Sequence, residues 1–309
     1  MTFHLAITGV CSAERRRYAR LSGTAGRHRA LRIVDLASDA DPAVVHTTLH
    51  ATASLCVVDA RHAVDDLRDE SPLRRAVPHG DARADVGARA RLAAQLIEAA
   101  SAVVLVNWER MATADLSILM ALVSHLAPTA RVRLSRGVAD DLAALGFGAS
   151  VPLRDAGDRA GWTRMLNGEH DPFLTDRRVV TMRYDQLRPF HPGRLVLALE
   201  LLDSGACGLV LRSVGVCRLA TRASIPARWE QAGSAMWIDP IDAGHGLDDV
   251  GQDIALTGID INPAAVRQAL DAAVLDDAEL AAGPAAWRDL PDPLPAWHLV
   301  VGSDDGAGA

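Results

Sequence analysis

The chain has 309 residues, 49% hydrophobic and 23% charged, and all 32 of its basic side chains are arginine. Without lysine there is no ammonium for a phosphate-binding loop, no Schiff base and no lysine general base, because a guanidinium is planar, permanently charged and holds its proton near neutral pH. The net charge of −7 is uneven: residues 1–36 carry seven arginines against Glu14 and Asp35, for +5, while residues 239–309 sum to −12, so DNA is not an expected partner, while the basic first segment leaves room for one local anionic partner. No stretch reaches the ~18 apolar residues of a membrane span, and the amino terminus lacks the pattern of a signal peptide, so a cytoplasmic location without membrane contact is expected.

In chain order, Phe3–Thr8, Leu31–Leu36, Leu55–Asp59, Ala102–Val106 and Arg131–Leu134 read as strands. Amphipathic helices lie between them. One places Leu92, Leu96, Ile97 and Ala100 on a face, a second Leu116, Leu119, Met120, Val123 and Leu126, and a third Val138, Leu142 and Leu145 before a stop at Gly146. Alternation of this kind predicts a parallel α/β sheet over residues 1–146. Residues 68–86 read as a surface loop, and 147–178 as a linker rich in Gly, Pro, Asp and Asn.

The second half predicts a small α+β domain over 179–281. Its elements are a strand at Val179–Leu187, a helix at Pro192–Leu202, strands at Gly208–Ala220, Ala235–Ile238 and Gln252–Ile261, and a helix opened by Asn262-Pro263. Residues 282–309, with Pro284, Pro291, Pro293 and Pro295, read as an extended tail pinned by Trp287 and Trp297.

Candidate chemistry is sparse. Cys11, Cys56, Cys207 and Cys217 form no CxxC pair and read as small buried hydrophobes; a metal shared by Cys207 or Cys217 with His191 or His245 is the weaker alternative. His46 and His50 lie at i and i+4 on a predicted helix, with no third ligand in view. Arg15, Arg16, Arg17 and Arg20 form either a solvated helix face or a phosphate contact at a helix amino end. His191, just before Pro192, reads as a helix cap. No nucleophile–base set is visible.

Several motifs occur in order: Arg188-Pro-Phe-His-Pro-Gly-Arg-Leu195, Leu211-Arg-Ser-Val-Gly215 leading to Arg218-Leu-Ala-Thr-Arg222, Trp229-Glu-Gln-Ala-Gly233, Gly258-Ile-Asp260 and Leu270–Glu279. Together they resemble the carboxy-terminal domain of the CobW family of P-loop GTPases, which includes zinc metallochaperones. Arg188, His191, Arg212, Trp229 and Gly233 are the residues this resemblance singles out.

By the same resemblance the first domain has lost its nucleotide motifs. A GxxxxGK[ST] loop wraps phosphates with backbone amides, contacts them with its Lys and binds Mg²⁺ through its hydroxyl. Here Gly9 is followed at that spacing by Glu14, Arg15 and Arg16. The strand Ala102–Val106 leads into Asn107-Trp-Glu-Arg110 where the family has NKxD, and Arg110 cannot accept hydrogen bonds from guanine. Asp35–Val45 resembles the segment after the family's acidic metal-coordinating strand, and Cys56–Ala60 the strand that follows. The CxCC metal segment has no counterpart between Leu21 and Leu31.

The resemblance therefore implies a pseudo-GTPase with remnants at Gly9, Glu14, Arg15, Arg16 and Asn107. No cofactor is expected; GTP with Mg²⁺ and zinc are the family's. The expected role is that of a binding or adapter protein in zinc or metal homeostasis, with a protein partner. The ribosome or a ribosome hibernation factor is the specific partner implied by the branch that shares these losses. The alternative is an active GTP-dependent zinc metallochaperone that uses Arg15 as its phosphate clamp.

Overall fold

A computed structural model of the chain describes residues 3–25, 31–37, 53–73, 87–146, 156–241 and 251–297. The first unit has five parallel strands, β1 (Phe3–Thr8), β2 (Leu31–Asp35), β3 (Ala53–Asp59), β4 (Ala102–Val106) and β5 (Arg131–Leu134), in the order β2-β1-β3-β4-β5. Its longer helices are α1 (Ser12–Ala25), α2 (Arg89–Glu98), α3 (Thr113–Leu126) and α4 (Val138–Leu145). Successive side chains of a strand face opposite sides of the sheet. Leu55 and Val57 accordingly pack with Tyr18, Leu142 and Leu145 under α1 and α4, whereas Cys56 and Val58 pack with Leu92, Leu96, Leu119 and Leu122 of α2 and α3. Coverage on both faces explains the unbroken apolar run of β4.

The second unit is an antiparallel sheet of β6 (Val179–Gln186), β7 (Leu209–Cys217), β8 (Ala227–Ala232), β9 (Ala235–Pro240) and β10 (Gln252–Ile259), ordered β9-β8-β7-β10-β6. A short helix, α5 (Gly161–Leu166), precedes it within the span expected to be a linker, and packs against α3, β6, β7 and β10. Helices α6 (Pro192–Asp203) and α7 (Pro263–Asp271) cover one face over Tyr184, Phe190, Trp229, Ile254 and Leu256. Both start on a capped turn with proline at the first position: Asn262 Oδ1 accepts from the Ala264 and Ala265 amides, and His191 Nδ1 from those of Gly193 and Arg194.

The other face of this sheet lies on the first unit. Val179, Leu211 and Ile259 belong to the same hydrophobic cluster as Leu92, Leu119 and Leu122, so one core runs from the parallel sheet through α2 and α3 into the antiparallel sheet. The predicted parallel α/β unit followed by a small α+β unit is the observed fold class.

Two further elements differ from the sequence reading. β8 was not expected, because its Arg228, Glu230 and Gln231 look like surface residues; Gln231 is buried and accepts from Ser213 Oγ at 2.8 Å, and Glu230 is buried against partners described below. The tail begins as a helix, α8 (Asp277–Trp287), broken by Gly283 at φ 79°, and only then becomes extended. Trp297 pins that extension, its indole N–H donating to the Ile238 carbonyl at 2.8 Å. His46, His50, His245 and most of the Asp35–Val45 segment lie outside the described residues. Among those described, no helix is long and apolar enough to cross a membrane.

Candidate functional site

The loop from β1 to α1 keeps one feature of a phosphate loop. Gly9 has φ 143°, and a Cβ there would sit 2.3 Å from the Val57 carbonyl oxygen, so only glycine fits. The rest of the loop is reorganised around Arg15, which departs from both roles the sequence suggested. It is neither solvated nor free to hold an anion: the side chain is 2% exposed, and Nη1 donates to the Asp35 carboxylate and the Leu36 carbonyl at the end of β2. Parallel pairing of β1 with β2 brings Asp35 level with Ile7, next to this loop. Arg16, Arg17 and Arg20 are exposed on α1, and Glu14 faces Arg17 at 3.6 Å.

The neighbouring crevice at the carboxyl end of β3 is also closed by protein groups. Arg89, at the start of α2, donates Nε to Asp66 at 2.8 Å and Nη2 to the Val10 carbonyl at 3.3 Å. Asp59 ends β3 and accepts from the Arg61 amide. Sequence reading did not nominate Arg89, whose partners lie 23 and 79 residues away. A triphosphate with Mg²⁺ does not fit this loop: the guanidinium at the lysine position is spent on Asp35, a carboxylate precedes it, and an exposed arginine follows.

The other end of the crevice remains open. Asn107 follows β4 in a left-handed conformation (φ 59°, ψ 25°), uncommon for a residue other than glycine, and leads into Trp108 and Glu109. With Glu14, Arg17, Tyr18, Ser135 and Arg136 they line a cleft of about 380 Å³ at the carboxyl ends of β4 and β5. Two of the lining residues, Tyr18 and Ser135, are held by the fully buried Asp141, which accepts from Tyr18 Oη (3.1 Å), Arg133 Nε (2.8 Å), Ser135 Oγ (2.6 Å) and the Arg136 amide (3.2 Å). Burial and the adjacent Asp141 charge keep the Tyr18 phenol protonated. Trp108 Nε1 donates to the Ser135 carbonyl at 2.9 Å, which ties the two walls together.

The structure disperses the residues singled out in the second unit, and protein groups occupy each. Arg188 reaches Asp277 (2.5 Å) and the Leu275 carbonyl, and His191 is a helix cap. Trp229 is buried, donates to Ser213 Oγ at 2.7 Å and lies 6.0 Å from the Phe190 ring. Gly233 turns the β8–β9 hairpin at φ 60°, where a Cβ would come 3.0 Å from the Arg68 Cα.

Arg212 faces the first unit. It meets Glu98 of α2 through Nε and Nη2, and Glu230 of β8 through Nη1 at 2.9 Å. Glu230 also takes Arg91 Nη2 (2.6 Å) and Gln95 Nε2 (2.9 Å), and the Arg91 guanidinium lies 4.6 Å from the Trp237 ring centre. Burial alone would raise the Glu230 carboxyl, but Arg212, Arg91 and Arg228 bring it down to about 2.

Zinc finds no donor set among the described residues, where no three His, Cys, Asp or Glu side chains come together. Cys56, Cys207 and Cys217 are buried; burial raises all three thiols, Cys56 and Cys217 to about 12, which makes them poor thiolate ligands. Cys11, in the loop after β1, is half-buried instead.

Residues 179–274 match the cobalamin synthesis protein cobW C-terminal domain. This chain carries a CobW carboxy-terminal domain. The CobW resemblance read from residues 188–279 is met by that match. Among curated proteins, the chain is similar to zinc chaperone Rv0106 of Mycobacterium tuberculosis and uncharacterized protein Mb0109 of Mycobacterium bovis, at 28% identity over 158 residues. The match spans 41% of this CobW-domain chain and 37% of each relative. The Zn(II)-bound YjiA GTPase from E. coli aligns over 80% of this chain and 71% of its own, at 13% identity and a TM-score of 0.34, too low to add to the fold described above.

Proposed function

We propose that this CobW-domain protein acts in zinc or metal homeostasis as a binding or adapter protein and does not hydrolyse GTP. One observation carries the reading: at the position of the phosphate-loop lysine stands Arg15, buried and committed to Asp35. An anion entering the loop must break that pair and face Glu14. The similarity to a protein named as a zinc chaperone supports the metal-homeostasis setting. Equilibrium binding of a fluorescent GTP analogue with Mg²⁺ tests it: no saturation at about 100 µM protein is expected, and micromolar affinity refutes it.

The narrower version is association with the ribosome under zinc starvation. Exposed Arg16, Arg17 and Arg20 on one helix are compatible with RNA phosphates. Co-sedimentation with ribosomal particles from zinc-depleted and zinc-replete cells tests it, and absence from both fractions removes it. A second reading, a GTP-dependent zinc metallochaperone with a divergent phosphate loop, has the open cleft beside Asn107 in its favour and the committed Arg15 against it.

A further inference from the structure

We propose that residues 290–297 are a releasable strap lying in a peptide-docking groove of the second unit, and that this groove takes from a protein partner an extended, proline-spaced acidic segment of the same chemistry. The inference rests on the adapter reading for its partner, and it shares no residue with the phosphate loop or the cleft beside it.

After α8 the chain passes the start of α6, where the Pro291 carbonyl oxygen lies 3.9 Å from the Cβ position of Gly193, and reaches the edge strand β9. Leu290, Asp292, Leu294 and Trp297 are half-buried, while Pro291, Pro293 and Pro295 are exposed. Arg222, in the turn after β7, grips the strap at several points. Its Nε donates to Asp292 (2.9 Å), Nη1 to the Pro295 carbonyl (2.8 Å) and Nη2 to the Leu294 carbonyl (3.1 Å), and the guanidinium lies 4.7 Å from the Trp297 ring centre. Thr221 Oγ1 adds a second donor to Asp292 at 2.6 Å, and Leu294 and Trp297 pack against the cluster that holds Phe190, Leu219 and Trp229. One guanidinium thus reads a carboxylate, two main-chain oxygens and an aromatic face, which makes the groove selective for sequence.

Side chains hold the strap, and no strand ladder does. Its three prolines have no N–H, and among the described residues no strap amide donates to the sheet. No residue from Asp276 to Trp297 is fully buried. Segments with so few buried apolar contacts open at free energies well below that of global unfolding. Gly283, at φ 79° with no atom within 4 Å of its Cβ position, supplies a hinge, while Arg188–Asp277 and Arg194–Glu279 anchor the first turn of α8. Release therefore frees Arg222, Thr221 and the Ile238 carbonyl while the strap stays tethered. A peptide is the ligand these groups fit, because their partners in the strap are a carboxylate, main-chain oxygens and an indole N–H along one extended line. A proline-spaced segment arrives already extended, at small ordering cost.

Fluorescence anisotropy on the full chain, with a labelled peptide of the sequence of residues 288–297, tests the groove. Asp292→Ala with Trp297→Ala loosens the strap in cis, so this variant is expected to bind the peptide at least about ten-fold more tightly than wild type. Asp292→Asn made in the peptide, or Arg222→Gln added to the loosened variant, each weakens binding about ten-fold. The altered peptide leaves the folding of the protein untouched, and circular dichroism checks the variants. Light scattering at about 100 µM protein is expected to show monomers. No peptide binding to the loosened variant overturns the groove, and equal binding to both chains overturns the strap's hold on it. Indifference to both the altered peptide and Arg222→Gln places the peptide elsewhere and overturns the inference too. A wild-type dimer that the loosened variant loses would seat a second copy's strap in the groove and overturn the assignment to a partner protein. Titration with GTP and Mg²⁺ judges the adapter reading separately.

Discussion

Arg212 of β7 and Glu98 of α2 form a two-pronged ion pair, at 2.7 and 3.0 Å, across the boundary between the parallel and antiparallel sheets. Both side chains are buried, and 114 residues separate them. Glu230 shares the same guanidinium, so a single arginine compensates two buried carboxylates from different units. Replacing it by alanine strands Glu98 and leaves Glu230 to Arg91, Arg228 and Gln95. Arg212→Ala is expected to cost about 3–5 kcal/mol, measured by urea denaturation of the whole chain; a loss below about 1 kcal/mol would mean that water reaches the pair.

Arg15 gives a second test. Its partners are structural, so Arg15→Lys does not restore a nucleotide site, because Glu14 and Arg16 still occupy the adjacent positions. The expected outcome is a stability loss of about 1–3 kcal/mol, discounted toward the lower end because Asp35 is 38% exposed, with no gain in GTP binding. Acquisition of Mg²⁺-dependent GTP affinity by this variant would contradict the account of the loop.

Gly9→Ala is expected to be severe for a local reason. The new methyl would meet the Val57 carbonyl at 2.3 Å, on a backbone that side chains avoid. Thermal or chemical denaturation should show a loss of at least about 2 kcal/mol, and wild-type stability would place the loop in another conformation.

His125 supplies the pH dependence. Its ring is 7% exposed, Nδ1 lies 2.8 Å from Thr181 Oγ1, and the His170 ring centre is 5.3 Å away. Burial, with His170 beside it, lowers it from 6.5 to about 4. The folded state therefore binds fewer protons than the unfolded one. Stability should fall as the pH drops from 6.5 toward 4, by up to about 3 kcal/mol. Denaturation at pH 7 and pH 4.5 measures the slope, and His125→Gln should flatten it; an equal slope in the variant would assign the effect to other groups.

Much of the fold was legible because burial leaves a pattern in the residues. Ala102–Val106 is apolar throughout since both its faces are covered, and Asn262-Pro263 announces a helix by capping chemistry alone. Where a polar residue is buried on a partner far along the chain, that pattern misleads. Glu230 looks like a surface residue until Arg91, Arg212 and Gln95 stand around it. Pro284 reads as part of an extended tail, yet helix forms on both sides of Gly283, the single left-handed residue. At the candidate site the sequence showed Glu14, Arg15 and Arg16 at the phosphate-loop spacing, but not where Arg15 turns, because that depends on the register of β1 against β2. The frame around Asp141 was invisible for the same reason: it joins α1, β5 and α4, and Tyr18 is 123 residues from its acceptor.

The core shared between the two sheets bears on how such a chain can change over time. Leu92, Leu119 and Leu122 pack with Val58 on one side and with Leu211 and Ile259 on the other. Drift that alters the loops at strand ends leaves this packing untouched, whereas excision of the first unit would strip the antiparallel sheet to solvent. The parallel sheet thus serves as the internal support of its neighbour, and the loops at its strand ends are the part free to vary.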